Sequence, residues 1–288
     1  MSQSQISVPL TKEQAYALVD AVMERDDLAL TASAHEDENE EWVFEATCTD
    51  EPDIEAFNAL ARTVLGGKVS FAVEKIDPDF DWVSKSLEGL KPVAAGGFYV
   101  FGSHDKDTVP PGVTPLHIDA AQAFGTGHHE TTTGCLIAID RILKRKKPRY
   151  LIDVGTGTGV LAIALAKRLR RPVIASDIDP VSVHITKENA QLNGVANDII
   201  AVEATGLENR LISDNSPYDL IVANILAGPL AQLAPAIGRA AMPGATIILS
   251  GILTHQAARV IAAYGQQGMI LKERITRKEW ATLILEKP

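Results

Sequence analysis

Cysteine is scarce in this chain: Cys48 and Cys135 are the only two among 288 residues. They stand far apart in unlike contexts, which excludes a disulfide framework and a cysteine-rich zinc site and fits a reducing cytoplasm. Long apolar runs are also missing. No stretch approaches the roughly 18 apolar residues of a membrane helix. The opening "MSQSQISVPLTKEQ" lacks the basic start and apolar centre of a secretion signal. A soluble, cytoplasmic protein with no membrane contact is the expectation. Positive charge is in deficit, with 27 Lys and Arg against 37 Asp and Glu and a formal net charge of −10. Phosphate backbones are bound by clustered cations, so no direct nucleic-acid binding is expected. The one dense basic run, "RILKRKKPR" from Arg141 to Arg149, reads as a helix end where cations complement the dipole and proline stops the helix. The acidic balance instead permits a basic protein partner.

With 46% hydrophobic residues, the chain can bury a large core and a second, smaller one. Its first part reads strand, helix, strand, strand, helix, strand. "QISVPL" is extended. Behind a Thr11 cap, Ala15, Leu18, Val19 and Val22 recur at helical intervals, and two alternating runs flank the acidic "HEDENE". Ile54, Phe57, Leu60, Ala61 and Val64 mark a second amphipathic helix, followed by "VSFAVEKI". This βαββαβ order predicts a small ferredoxin-like α+β domain over residues 1–90 that serves as a binding platform. A Gly-, Pro- and Asp-rich linker is expected over 91–114, with "GGFYVFGS" and "PLHID" as candidate short strands.

The remainder, 115–288, alternates apolar runs of strand length ("RYLIDV", "PVIASDI", "DIIAVEA", "YDLIVANI", "GATIILSG") with amphipathic helices. Strands buried on both faces look like this, which predicts an α/β domain with a doubly wound parallel sheet. "MILKERITRKEWATLILEK" reads as a closing antiparallel hairpin. In "LIDVGTGTGVLAIALAK", Gly155, Gly157 and Gly159 stand between a strand and a helix, where glycine allows a tight turn and close approach of a ligand. Asp177, at the end of the next strand, can accept bonds from both hydroxyls of a ribose. The spacing G-x-G-x-G, this acid and the terminal hairpin together resemble the class I methyltransferases that bind S-adenosylmethionine. The resemblance implies a cofactor loop of Asp153, Gly155, Gly157 and Gly159, with Asp177 on the ribose and Ile178 against the adenine. Asp179 reads as the cap of the helix opened by Pro180.

Asn224, at the end of the fourth strand in "VANILAGPL", offers an amide oxygen to an N–H group, which suits an amine nucleophile. Ile225, Leu226 and Ala227 replace the prolines and ring that stack on planar bases in other amino methyltransferases. "AFGTGHHETTTG" carries a further glycine cluster. Phe124, Gly125, Thr126 and Gly127 are expected to close over the methionine end of the cofactor, and Thr131 to Thr133 to offer hydroxyls. His128 and His129 are adjacent and cannot readily converge on one ion, so no metal is expected.

In this order and spacing, "AFGTG-H-x-TT", "DVGTGTGVLAIA", "SDIDP", "ENAQLNGV" and "VANILAGPL" look like the methyltransferase family of large-subunit ribosomal protein eleven, PrmA. The resemblance implies a monomeric enzyme that methylates lysine and α-amino groups of that protein. It places Thr132, Gly155, Asp177 and Asn224 on cofactor-binding positions, and makes the small domain the one that recognises the substrate. Thr156 and Thr158 depart from the Cys and Ser common there, and Glu130 from the more usual proline. Three other readings stay open on the residues alone. They are a methyltransferase of another amine-bearing protein or small molecule, an NAD-dependent oxidoreductase, and a non-enzymatic adaptor.

Overall fold

In the computed structural model, which describes residues 3–23, 25, 27–29, 31–36, 41–49, 51–76, 92–119 and 128–288, the chain divides into two compact units. The described residues up to 76 belong to the first, and 92–119 with 128–288 to the second.

The first unit runs β1 (Gln3–Pro9), α1 (Lys12–Met23), β2 (Thr31–Glu36), β3 (Trp42–Thr49), α2 (Ile54–Leu65) and β4 (Ala72–Ile76). Its four strands form an antiparallel sheet in the order β2-β3-β1-β4, the ferredoxin-like arrangement that the pattern predicts. Local signals explain the helices. The backbone amide of Gln14 donates to Thr11 Oγ1 (3.3 Å) while that of Thr11 donates to Gln14 Oε1 (3.2 Å), a reciprocal capping box. Asp53 caps α2 through the Ala56 amide (3.0 Å), and Gly66 ends it at φ 73°. Ala15, Leu18, Val19 and Val22 from α1 and Phe57 and Ala61 from α2 meet Ile6, Val8, Phe44 and Ala46 in one core. The acidic turn lies partly outside the described residues, at 37–40.

The second unit opens with β5 (Val93–Ala95), β6 (Phe98–Phe101) and β7 (Thr114–His117), which form a three-stranded sheet, so the described part of the expected linker carries regular structure. Then come α3 (His128–Arg145), β8 (Leu151–Val154), α4 (Val160–Leu169), β9 (Val173–Asp177), α5 (Pro180–Leu192), β10 (Ile199–Glu203), α6 (Arg210–Asp214), β11 (Tyr218–Asn224), α7 (Ala227–Ala240), β12 (Ala241–Leu253), α8 (Ala257–Gly265), β13 (Ile270–Arg277) and β14 (Trp280–Glu286). The large sheet is ordered β10-β9-β8-β11-β12-β14-β13. Its first five strands are parallel, and β14 pairs antiparallel with both β12 and β13. Alternate residues feed two cores: Leu151, Val173, Leu220 and Val222 pack toward α3 and α4, and Ile152, Ile174, Ile221 and Ala223 toward α7 and α8. Burial on both faces is why these strands read as unbroken apolar runs.

The strand expected over "GATIILSG" is longer, spanning β12 from Ala241 to Leu253, and its register against β14 shifts between Leu249 and Ile252. The irregularity centres on Gly251 at φ 82°, where a Cβ would lie 2.3 Å from the carbonyl oxygen of Ile225. Thr131 to Thr133, expected to offer hydroxyls to the site, lie in the first turns of α3 and are buried.

Candidate active site

The strand order reverses between β8 and β11, so the carboxyl ends of these two strands and of β9 define the crevice where open α/β sheets take ligands. The glycine turn after β8 occupies it. Gly155, Gly157 and Gly159 have φ of 70°, 57° and 82°. At Gly155 a Cβ would lie 2.3 Å from Ile225 Cγ2, which brings the turn against the end of β11. At Gly157 a Cβ would meet open space, as a cradle for a ligand requires. The amides of Gly155 and Thr156 both donate to the Ser176 carbonyl (2.8 and 2.9 Å), tying the turn to β9.

Two carboxylates frame the turn. Asp153 is 1% exposed, and its Oδ2 accepts from Thr156 Oγ1 (2.8 Å) and from the Ala162 amide (3.1 Å). Burial pushes its pKa up to about 7, opposed by those two bonds and reinforced by Asp177. Asp177 Oδ2 accepts from the Gly157 amide (2.8 Å) and Oδ1 from the Asp179 amide (3.1 Å). Next to it, Ile178 is 66% exposed, an apolar surface at the crevice. Asp179 caps α5 through the amides of Val181 (2.9 Å) and Ser182 (3.3 Å), as its position before Pro180 predicts.

Asn224 ends β11. Its Nδ2 donates to Thr132 Oγ1 over a long 3.4 Å, so the structure brings these two predicted residues together. Its Oδ1 is buried without a partner. Among the described residues the other buried side-chain oxygens left unpaired are Asp153 Oδ1, Ser176 Oγ and Tyr264 Oη. Three of these four sit at or next to the carboxyl ends of β8, β9 and β11. Buried polar groups are nearly always satisfied, so such a cluster marks a place for a polar ligand. Phe124, Gly125, Thr126 and Gly127 lie outside the described residues, as do the side chains of His128 and His129.

Several supporting residues carry no obvious mark in the sequence. Gly134 sits where a Cβ would lie 2.2 Å from Thr282 Oγ1, and Ser250 Oγ bonds both Thr282 Oγ1 (2.9 Å) and the Thr131 carbonyl (3.2 Å), pinning α3 across the sheet. The one signal for Ser250 is its place, beside Gly251, inside the apolar run "ILSGIL". Glu130, the departure from proline, bonds Arg277 Nε (2.7 Å) and Lys278 Nζ (3.1 Å) at the hairpin turn. Burial opposes ionisation of Glu130, but the two cations outweigh it and hold the carboxyl below its ordinary range. Ser103, His117 and Asp119 also meet, a set that nothing in their spacing announces. Ser103 Oγ lies 2.9 Å and Asp119 Oδ2 3.0 Å from the same ring nitrogen, His117 Nε2, so no relay through the second nitrogen exists.

A family model described as "Ribosomal protein L11 methyltransferase (PrmA)" matches residues 3–288. The chain belongs to this family. A ribosomal protein L11 methyltransferase of Rhizobium leguminosarum bv. trifolii is 41% identical over 292 residues, covering 100% of both chains. One of Rhodopseudomonas palustris is 46% identical over 264 residues, 91% of this chain and 89% of the relative. Among solved structures, the ribosomal protein L11 methylase of Lactobacillus delbrueckii subsp. bulgaricus aligns with a TM-score of 0.59 at 29% identity, covering 66% of this chain and 93% of the other. The enzyme is therefore a class I methyltransferase whose cofactor is S-adenosylmethionine. The cradle at Gly157 and the unpaired Asp153 oxygen fit that group.

Proposed function

We propose that the enzyme methylates lysine and α-amino groups of ribosomal protein L11, acting as a cytoplasmic monomer that does not bind nucleic acid directly. The relatives named for that substrate support the target, the net charge of −10 supports a basic protein partner over a phosphate backbone, and among the described residues no helix is long and apolar enough to cross a membrane. The observation that carries the chemistry is Asn224: its amide nitrogen is engaged by Thr132, leaving a buried oxygen free to accept an N–H.

When bound, S-adenosylmethionine supplies a methyl group already activated by a positive sulfonium. The chain's own residues then hold and orient. The glycine turn with Asp177 would hold the ribose, Ile178 the adenine, and Asp153 Oδ1 the cationic methionine end. A free lysine has a pKa of about 10.4 and no lone pair when protonated, so the acceptor must arrive neutral. Asn224 Oδ1 and the backbone carbonyls of Asn224 and Ile225 fix its N–H groups so that the lone pair points at the methyl. Gly251 leaves room for the Ile225 carbonyl, because any side chain there would strike it. Among the described residues no paired carboxylates stand as acid and base around Asn224, and none are required. Alignment and exclusion of water supply the rate, on the order of 7–11 kcal/mol in well-oriented systems.

Incubation with methyl-labelled S-adenosylmethionine and recombinant ribosomal protein L11, read by intact mass, should give additions in steps of one methyl. Cofactor binding without a mass change would move the search to another amine-bearing substrate.

The pKa of about 7 at Asp153 gives a second expectation. Since the folded value is raised above the unfolded one, this carboxyl lowers the stability of the free protein progressively as pH rises from about 4 to about 7, and not further above. A cationic ligand favours the ionised form. Affinity for the cofactor should therefore climb about tenfold from pH 6 to 7.5 and then level. Calorimetric titration of wild type and Asp153→Asn checks this, and an equally steep profile in the variant would refute it.

A further inference from the structure

The face of α5 buried against the cofactor turn is polar where an apolar stripe is the norm. Thr186, Asn189 and Asn193, spaced i, i+3 and i+7, are all buried, at 0%, 1% and 9% exposure. Each bonds backbone outside the helix, and Asn193, its C-cap, also donates from Nδ2 to the Asn189 carbonyl (2.8 Å). Thr186 Oγ1 donates to the Gly157 carbonyl (2.9 Å), and Asn189 Nδ2 donates to the Thr158 carbonyl (2.9 Å). Asn189 Oδ1 accepts from the Asp119 amide (3.1 Å). Asn193 pairs with both backbone groups of His117, accepting from its amide (3.0 Å) and donating to its carbonyl (2.6 Å), as a neighbouring strand would. Lys167 Nζ adds bonds to Asn193 Oδ1 (2.9 Å) and the Pro115 carbonyl (2.6 Å).

We infer that Thr186 and Asn189 are positioning residues that set the cofactor affinity of the glycine turn, with Asn193 holding the stripe to the end of β7. Two consecutive carbonyls, of Gly157 and Thr158, are drawn back onto α5. This fixes the 157–158 and 158–159 peptide planes of a segment whose glycines would otherwise leave it free, directly after the Gly157 amide that donates to Asp177 Oδ2 (2.8 Å). A turn held this way meets its ligand already ordered, and ordering it at binding would cost affinity. The packing is close as well: a Cβ on Gly159 would lie 2.9 Å from Thr186 Cγ2, so the helix face and the turn admit no side chain between them. "ENAQLNGV" therefore carries a role through its first asparagine, joined by a threonine one turn earlier.

The inference rests on residues 155–159 being the cofactor turn, and the test separates the two. Thr186→Val keeps shape and removes the donor; calorimetric titration with S-adenosylhomocysteine should show binding weakened about tenfold. With saturating S-adenosylmethionine its kcat should stay within about twofold of wild type. Hydrogen exchange at the amides of residues 155–159 should quicken in the ligand-free variant. Thr186→Ser, which restores the hydroxyl, should return affinity to near wild type. Asn189→Asp, which keeps the acceptor for Asp119 but loses the donor to Thr158, should weaken binding independently of any packing change at Thr186. Wild-type affinity in Thr186→Val, or equal loss in Thr186→Ser, overturns the positioning role. Wild-type affinity in both Thr186→Val and Asp177→Ala overturns the cofactor-turn reading beneath it.

Discussion

Replacing Asn224 by alanine should cut methyl transfer by on the order of 10²-fold while S-adenosylhomocysteine binds within a few-fold of wild type. The reason lies in how the side chain is held. Its Nδ2 is turned to Thr132 on α3, which fixes the amide plane and leaves Oδ1 as a buried acceptor with one task. An alanine removes that acceptor and admits water, so the amine keeps access to the crevice but loses its direction. Misalignment of reacting atoms by even an ångström costs rate steeply, whereas the ribose and adenine contacts proposed at β9 are untouched. Thr132→Val should produce a milder version of the same defect, since it frees the amide without deleting it. Single-turnover rates beside calorimetric affinities check both. Full activity in Asn224→Ala at saturating cofactor would remove Asn224 from the reaction.

Much of this site is legible in the amino-acid order alone, for a physical reason. G-x-G-x-G after a buried strand, an acid one strand later and an asparagine two strands after that are local events, each fixed by a turn or a strand end. The helices of the first unit are equally plain, because capping and periodicity are carried by contiguous residues such as Thr11 to Val22. What stays hidden depends on contacts across distant segments. Gly251 looks like an ordinary strand residue until Ile225 is brought against it, and Gly134 like a helix blemish until Thr282 faces it. Three successive threonines after a glycine cluster are modest helix formers. Packing of α3 on β12 and β14, with Ser250 bonding the Thr131 carbonyl, overrides that preference. The polar stripe on α5 misleads in the opposite way: in sequence it resembles a solvated face, and in the fold it is buried.

Removing residues 1–90 should leave cofactor binding within a few-fold of the full-length enzyme and lower kcat/KM for ribosomal protein L11 by ~10²–10⁴-fold, the scale at which a tethered recognition module adds to a weak catalytic contact. The two units support this division by what each contains. The first has its own core, built from Ile6, Leu18, Phe44 and Phe57, which shares no residue with the two cores of the large sheet. All the predicted cofactor and amine contacts that fall on described residues, and the unpaired buried oxygens that mark the crevice, belong to the second. A cut before Val93 keeps β5, β6 and β7 and with them the backbone that Asn189 and Asn193 hold. A crevice that aligns any neutral amine has little means of choosing one protein among many, so selection must come from a surface remote from the reacting atoms. Calorimetry with S-adenosylhomocysteine and intact-mass assays on the truncated and full-length chains read the two functions separately. Undiminished methylation of ribosomal protein L11 by the truncated chain would return substrate choice to the crevice, and lost cofactor binding would show that the glycine turn depends on the first unit after all.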